Sequence, residues 1–383
     1  METVYLFSSP GRDVPVDGKI LQRAFQVEPL RDHPFMTLED YFSAVRDFVL
    51  MERGGTLVRI LTGLWGSDTT PGDIERVLIR YEKYGTLYQI ASVEVLSGNR
   101  RAKFAVSTAL SPEAKSTLLR EFELLKRLRG QWDPSFVPRI FFKGTVSVDR
   151  GPEEETLLMV LSGWLEGYHE WHFAADEEAP EHVIVWDTDR GYRTLAGRET
   201  REVVRLASKI LTLYYDTRTF LHIFPWHHGA GDFVLRQDER GIDVRLVTAR
   251  GYEPLLFPER GTDPEPLRAA LCFLLLLSVK MRLDKREGMG GPTWAHASLL
   301  GAVLEGFFEA LRTREAKGAM ETFGTTDLLR LAKGLEEGAL GRLLQAQMDL
   351  YRHRDPADIA AVRDRLDQHA RDLHRALQAF RDE

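Results

Sequence analysis

The sequence predicts an α+β protein in which a small antiparallel sheet is followed by a mainly helical region. Three observations support this fold class. Short alternating apolar stretches separated by tight turns run from Ile74 to Val106, which is typical of hairpin strands. An apolar stripe at helical spacing follows from Ser111 to Leu128. Helical spacing then dominates most of the chain after Gly167.

Length, composition and charge exclude several classes of protein. The chain has 383 residues, 43% hydrophobic and 28% charged, so it can bury a core and is not predicted to be disordered. Its net charge of −7 gives no general attraction to nucleic acid or to an anionic membrane. The single cysteine, Cys272, cannot form an internal disulfide, and the longest apolar run, 269–279, is too short to span a bilayer. We expect a cytoplasmic protein with neither a nucleic-acid nor a membrane partner.

Residues 1–70 are predicted to form an N-terminal extension. Thr37, with Asp40 three positions later, has the form of a helix N-terminus. The apolar positions that follow continue a helical pattern to about Leu64. The breaker-rich stretch 66–73 then ends this segment.

Residues 71–168 are predicted to form the sheet together with one helix. Ser111 as the cap and Pro112 as the first residue predict the start of this helix. The strands are expected around 77–81, 87–96, 103–106, 139–142 and 156–161. The helix therefore stands between the third and the fourth strand.

Residues 169–315 are predicted to be helical apart from one hairpin, and residues 316–383 to form a helical C-terminal extension. The hairpin pairs residues around 233–236 with residues around 244–247. The helices are expected at 203–215, 266–282, 296–313, 326–350 and 358–380. The last helix has an apolar face that favours packing on its own domain, and self-association through this face is the alternative.

This element order, with three short segments, resembles the protein-kinase-like superfamily, in particular its aminoglycoside and choline phosphotransferase-like branch. The resemblance covers roughly residues 74–315. The segments are 120–128, similar to the family's helix C, 161–167, similar to its fifth strand and hinge, and 231–248, similar to the end of its catalytic loop and the following hairpin. The resemblance implies a bilobal fold that holds ATP and Mg²⁺ between a sheet lobe and a helical lobe.

The resemblance assigns nucleotide-facing positions to Gly85, Ser107, Glu121, Glu166 and Thr248. Phosphoryl transfer in this family needs a lysine on the third strand and a metal-binding aspartate after the hairpin. Ser107 stands in the lysine's place, and Thr248 stands in the aspartate's place. The charges that anchor phosphate and metal are thus missing, unless Lys103 or Lys115 supplies the first of them.

The loop from His222 to Asp232 carries the residues best suited to chemistry. If Asp232 fills the place of the family's metal-binding asparagine, His227 replaces the catalytic aspartate five residues earlier. Because imidazole titrates near neutral pH, His227 is a candidate general base. Asp232 and His228 are candidate metal ligands. The alternative is that these histidines brace a surface turn.

Two functions are consistent with this pattern. The first is a pseudokinase-like protein whose active site is degenerate and which acts as a binding or regulatory module for a nucleotide, a small molecule or a partner protein. The alternative is an atypical phosphotransferase that acts on a small molecule with ATP and Mg²⁺. In that enzyme His227 is the general base and Asp232 a metal ligand.

Overall fold

The computed structural model describes residues 1–9, 11–28, 31–85, 87–174, 182–187, 190–258, 265–286, 290–320 and 322–381. These residues form a mixed α+β structure, as predicted. The chain divides into two compact units. The sheet unit comprises Met1–Gly130, Pro138–Gly167 and Thr188–Gly191, and the helical unit comprises Gln131–Val137, Tyr168–Asp187 and Tyr192–Glu383. Among the described residues, no helix combines the length and the apolar character needed to cross a membrane.

The sheet unit is built on one large mixed sheet. The strands of this unit are β1 (Glu2–Ser9), β2 (Arg12–Pro15), β3 (Ala24–Glu28), β4 (Arg31–Thr37), β5 (Arg76–Tyr84), β6 (Gln89–Ser97), β7 (Arg100–Ala109), β8 (Ile140–Arg150) and β9 (Glu153–Gly163). In the described part of the chain, the large sheet has the order β2-β1-β5-β6-β7-β9-β8, and β3 pairs with β4 separately. The five predicted strands are confirmed as β5 to β9. The sheet is not purely antiparallel, because β1 runs parallel to β5.

The segment predicted as an N-terminal extension is an integral part of the sheet unit. It supplies β1 and β2 to the large sheet and adds the helices α1 (Gly18–Leu21), α2 (Leu38–Val49) and α3 (Gly55–Trp65). The capping box of Thr37 and Asp40 starts α2 as predicted. The single helix expected as far as Leu64 is instead two helices, because Glu52 and Arg53 adopt left-handed backbone angles between them.

The two faces of the large sheet are covered differently. Helices α2 and α3 pack over one face, where Val77, Val93 and Phe104 enter the larger core. The predicted helix with Ser111 as its cap is confirmed as α4 (Pro112–Arg129). It packs over part of the opposite face, against Ala109 on β7 and Leu158 on β9. Because successive side chains on a strand alternate in direction, this second face also carries polar residues such as Arg80 of β5, Glu94 of β6 and Lys103 of β7.

The helical unit also contains strands. They are β10 (His169–Phe173), β11 (Val183–Asp187), β12 (Gly191–Leu195), β13 (Leu221–Ile223), β14 (Phe233–Asp238), β15 (Gly241–Leu246), β16 (Tyr252–Pro254), β17 (Leu283–Lys285) and β18 (Pro292–Trp294). In the described part of this unit, a sheet has the order β12-β11-β10-β14-β15. The predicted hairpin is confirmed as β14 and β15. The prediction that the chain becomes helical directly after Gly167 is wrong, because β10 pairs with both β11 and β14.

The helices of this unit surround a large apolar core. They are α5 (Arg198–Leu213), α6 (Pro266–Lys280), α7 (Leu300–Ala316), α8 (Thr325–Gly334), α9 (Glu337–Tyr351), α10 (Pro356–Val362) and α11 (Leu366–Ala379). The helices predicted at 326–350 and 358–380 are each divided in two. Leu366, Leu373 and Leu377 of α11 are buried, and α11 packs against α7, α8 and α9. The apolar face proposed for self-association is therefore used within the unit.

A buried polar network joins α6 to α11. The ring of His369 contacts Ser278 Oγ through Nε2 and Arg282 Nη1 through Nδ1, both at 3.0 Å. Because a guanidinium only donates, Nδ1 must accept, and the imidazole proton must lie on Nε2. Ser278 in turn donates to the carbonyl of Leu275. The network thus needs a neutral ring, and burial, reinforced by the positive charge of Arg282, lowers the pKa of His369 to about 3.

Stability is expected to fall in acid because of His369. Its pKa is about 3 in the folded protein and about 6.5 in an unfolded chain, so only the unfolded chain binds this proton between those values. The contribution to the free energy of unfolding is complete above pH 6.5 and decreases by about 1.4 kcal/mol per pH unit below it. Urea unfolding from pH 7 to pH 4 measures this slope. In His369→Gln this slope should be smaller by about 1.4 kcal/mol per pH unit, because the unfolded chain then binds one proton fewer.

The matched control for this prediction is His374→Gln, which removes a histidine from the same helix. His374 is half-buried, whereas His369 is fully buried. Equal slopes in the His369→Gln variant and in the unsubstituted protein would contradict the prediction.

The close approach of α7 to α5 at Gly306 is expected to make any larger residue at this position destabilising. A Cβ atom at this position of α7 would clash with the carbonyl oxygen of Arg205 on α5. Gly306→Ala should therefore lower the free energy of unfolding by about 1–3 kcal/mol or more. Gly301→Ala on the same helix is the control, because its Cβ would meet no atom within 4 Å and alanine favours a helix. Denaturant unfolding of both variants checks this, and similar losses would contradict the crossing.

Candidate functional site

The loop between β13 and β14 holds the residues predicted to carry chemistry. The strand before the loop, β13, pairs with β16, and the strand after it, β14, pairs with β15. Both ends of the loop are therefore anchored. The loop ends in a single π-helical turn, His228–Asp232, in which Gly231 adopts a left-handed φ of 74°. His227, His228 and Asp232 are all buried. These residues therefore do not brace a surface turn.

Asp232 is held by a cation from its own chain. Its Oδ1 lies 2.6 Å from Arg250 Nη2, and its Oδ2 accepts hydrogen bonds from Arg250 Nη1 and from the backbone N–H of His227, both at 2.8 Å. Asp232 is 1% exposed. Burial raises the pKa of this carboxyl, and Arg250 and the His227 amide oppose that effect.

Arg250 reaches Asp232 because of the path of the chain after β15. The backbone N–H of Val247 donates to the carbonyl oxygen of Asp232 at 2.8 Å, and Phe224 donates to the carbonyl of Gly251 at 3.1 Å. These bonds hold the segment 247–251 beside the loop. The bidentate contact with Arg250 uses both carboxylate oxygens of Asp232. A metal ion on Asp232 would therefore have to displace Arg250.

His228 lies in an aromatic core. Its ring centre is 4.7 Å from that of Trp171, 5.1 Å from that of Trp226 and 5.3 Å from that of Phe173. Burial is the largest effect that lowers its pKa, to about 3. Among the described residues, the group of three side chains that could share a metal does not include the predicted pair, Asp232 and His228.

His227 faces a charged cluster that sequence reasoning missed. Its Nε2 lies 3.5 Å from Asp358 Oδ2, and Asp355 lies beside it. The ammonium group of Lys280 forms ion pairs with both aspartates. One signal was present in the sequence. Lys280 directly follows the apolar run 269–279 at the end of α6, and a lysine buried there requires a negative partner.

The surroundings of His227 do not favour its predicted action as a general base. Burial, followed by the positive charges of Lys280 and Lys285, lowers the pKa of His227 to about 3. A general base is most effective when its pKa lies near the working pH. At neutral pH this imidazole is a neutral group with low proton affinity.

The position that the resemblance assigns to a phosphate-anchoring lysine, Ser107, lies on the polar face of the large sheet. Ser107 and Lys103 share this face of β7, opposite the core residues Phe104 and Val106. Lys103 Nζ is 3.9 Å from Glu82 Oε1 and 4.2 Å from the centre of the Trp164 ring. The charge of Lys103 is thus engaged within the sheet unit.

Two further cations of the sheet unit, Arg80 and Lys115, also form ion pairs. Arg80 pairs with Asp13 at 2.8 Å and with Glu94 at 2.9 Å. Lys115, the second candidate to replace the missing lysine, pairs with Glu155 at 3.1 Å. The polar face therefore presents paired charges in the region where the resemblance implies phosphate binding.

The remaining predicted positions are occupied as follows. The backbone N–H of Gly85 donates to the carbonyl of Tyr88 at 2.9 Å, which directs this amide into the turn. Glu121 is buried on α4. Glu166 is 3.5 Å from Arg101 in an exposed ion pair. Thr248 is half-buried after β15, two residues before Arg250.

The sequence matches no protein-family model, and no curated protein with which it was compared is similar enough to match it. The functional inference therefore depends on the fold and on these contacts.

Loss of the Arg250 charge is expected to destabilise the helical unit. Arg250→Gln leaves the buried Asp232 carboxylate without its cation, so the free energy of unfolding should fall by about 3–5 kcal/mol. Denaturant unfolding at neutral pH measures the loss. The double variant Asp232→Asn with Arg250→Gln should recover most of it, because no unpaired charge remains.

Arg236→Gln is the matched control, because Arg236 lies on β14 with its side chain 43% exposed. Surface ion pairs contribute about 0–1 kcal/mol, so this variant should be close to neutral. A loss at Arg250 no larger than the loss at Arg236 would show that Asp232 does not depend on the guanidinium.

Proposed function

We propose that this protein is a pseudokinase-like binding or regulatory module of the protein-kinase-like superfamily, which does not transfer phosphoryl groups. The observation that carries the proposal is the ion pair between Asp232 and Arg250. In kinases the catalytic-loop asparagine and the aspartate after the hairpin hold the metal ions that neutralise the phosphates. Here a fixed guanidinium neutralises the carboxylate at the first of these places.

The order of the elements supports the resemblance. The strands β5 to β9, with α4 between the third and the fourth, correspond to the expected small lobe. In the helical unit, the loop that contains His227 leads directly into the β14–β15 hairpin, and most of the later elements are helices. The bilobal kinase-like fold remains part of this proposal.

The polar face of the sheet supports the loss of phosphoryl transfer. Ser107 provides no charge where the family has a lysine, and Lys103 is engaged by Glu82 and Trp164. Glu82 and Glu94 add two carboxylates to the same face. Glu94 is paired with Arg80 and Glu82 with Lys103, so a polyphosphate that uses either cation has to displace a carboxylate.

Nucleotide titrations test this proposal. The melting temperature of the full chain is measured with ATP, ADP and GTP, each with and without Mg²⁺ or Mn²⁺, because a ligand that binds the folded state raises it. We expect no metal-dependent rise and no ATP turnover. A rise with nucleotide alone would identify the ligand of the module. A flat response would direct the search to a small molecule without phosphate or to a partner protein.

A different result would favour the atypical phosphotransferase. This result is ATP turnover that is lost in both His227→Ala and Asp232→Asn but kept in Asp238→Asn. Asp238 is the matched control, because it lies on the same hairpin and is exposed. Such turnover would overturn the proposal.

A further inference from the structure

Three side chains that could act as metal ligands converge in the helical unit. His227 comes from the loop after β13, Asp355 immediately precedes α10, and Asp358 lies in the first turn of α10. Residues three apart lie on the same side of a helix, which brings the two aspartates together. Each of the three offers one ligand atom, and these atoms all lie within 4.8 Å of one another.

The environment of the His227 imidazole also points to a ligand. His227 is 8% exposed, and its Nδ1 has no hydrogen-bond partner among the described residues. Its Nε2 is 3.5 Å from Asp358 Oδ2, which is longer than an ordinary N–H···O bond of about 2.9–3.0 Å. Buried polar groups are nearly always hydrogen-bonded. The ring atom that faces the carboxylates is Nε2, and its distance from Asp358 leaves it without a hydrogen bond of ordinary length to that acid, which suits it to a metal ion between them.

The distance between His227 and Asp358 agrees with metal ligation. In a tetrahedral zinc site with bonds of about 2.0–2.1 Å, two ligand atoms are about 3.4 Å apart. The 3.5 Å separation of Nε2 and Oδ2 is close to this value. A neutral imidazole and carboxylates are ligands that zinc accepts, whereas magnesium and calcium prefer oxygen ligands alone.

Lys280 shows that a cation fits between the two aspartates. Its ammonium is 2.8 Å from Asp355 Oδ2 and forms a second ion pair with Asp358 Oδ2. Lys280 is 2% exposed, so its charge balances carboxylates that would otherwise be costly to bury. A divalent ion that binds the aspartates has to displace this ammonium.

We propose that His227, Asp355 and Asp358 form a binding site for a divalent transition-metal ion, with zinc as the preferred ion. Lys280 is the internal counter-ion of the metal-free protein. Three protein ligands leave a fourth position for water or for a ligand, as in zinc sites that are not purely structural. The site lies within the helical unit and does not depend on nucleotide binding.

Calorimetric titration of the metal-stripped full chain with Zn²⁺ tests the site. We expect one tight site whose affinity falls more than about tenfold in His227→Gln and in Asp358→Asn. Lys280→Met should bind zinc more tightly, because the competing ammonium is gone. His353→Gln is the matched control, because His353 is an exposed histidine next to the same segment and should not alter the affinity.

Two results would overturn the proposal. One is the absence of zinc binding at micromolar concentration in the unsubstituted protein. The other is binding that persists in His227→Gln and is lost in His353→Gln, which would indicate an adventitious surface site.

Asp358 is buried and paired with Lys280, so its substitution can unfold the chain, and a measurement on the unsubstituted chain is added. Co²⁺ in a tetrahedral site absorbs visible light far more strongly than Co²⁺ in water. An intense visible spectrum that Zn²⁺ abolishes is expected. A weak, water-like spectrum would count against the three-ligand site even if Asp358→Asn is unfolded.

Discussion

The compensation of buried carboxylates by cations of the same chain is the constraint on which the helical unit depends. Asp232 is paired with Arg250, and Asp355 and Asp358 are paired with Lys280. A buried carboxylate without a partner is strongly destabilising. The folded helical unit therefore needs each of these cations to compensate the acid that it pairs with. The loop that should carry chemistry is therefore held by fixed internal charges.

The same principle applies to the polar face of the sheet unit. Arg80 and Lys103 are engaged by Asp13, Glu94 and Glu82, so the charges of this face largely neutralise one another. A protein that binds polyphosphate and metal keeps cations and carboxylates available for them. Here both units use such groups for internal contacts, as the proposed function requires.

Local signals in the sequence predicted several elements well. The capping residues Thr37 and Ser111 start α2 and α4, and the β14–β15 hairpin lies at the expected place. These features depend on residues close together in the chain. The parallel pairing of β1 with β5 was missed, because its partners are 74 residues apart and parallel strands need a long connection. The strands β10 to β12 were also missed. The strand β11, Val183–Asp187, carries its own local signal, because it is rich in β-branched and aromatic residues, whereas β10 is defined by its pairing with β11 and β14.

The sequence by itself determined which residues are available for chemistry, since His227, His228 and Asp232 occupy one short loop. The tertiary structure decided what each of them contacts. His228 entered an aromatic core, Asp232 met Arg250 at a separation of 18 residues, and His227 turned toward the acids paired with Lys280. The partners Lys280 and Asp358 are 78 residues apart. No local pattern specifies which cation neutralises which buried acid, because that choice depends on chain segments that meet only after folding.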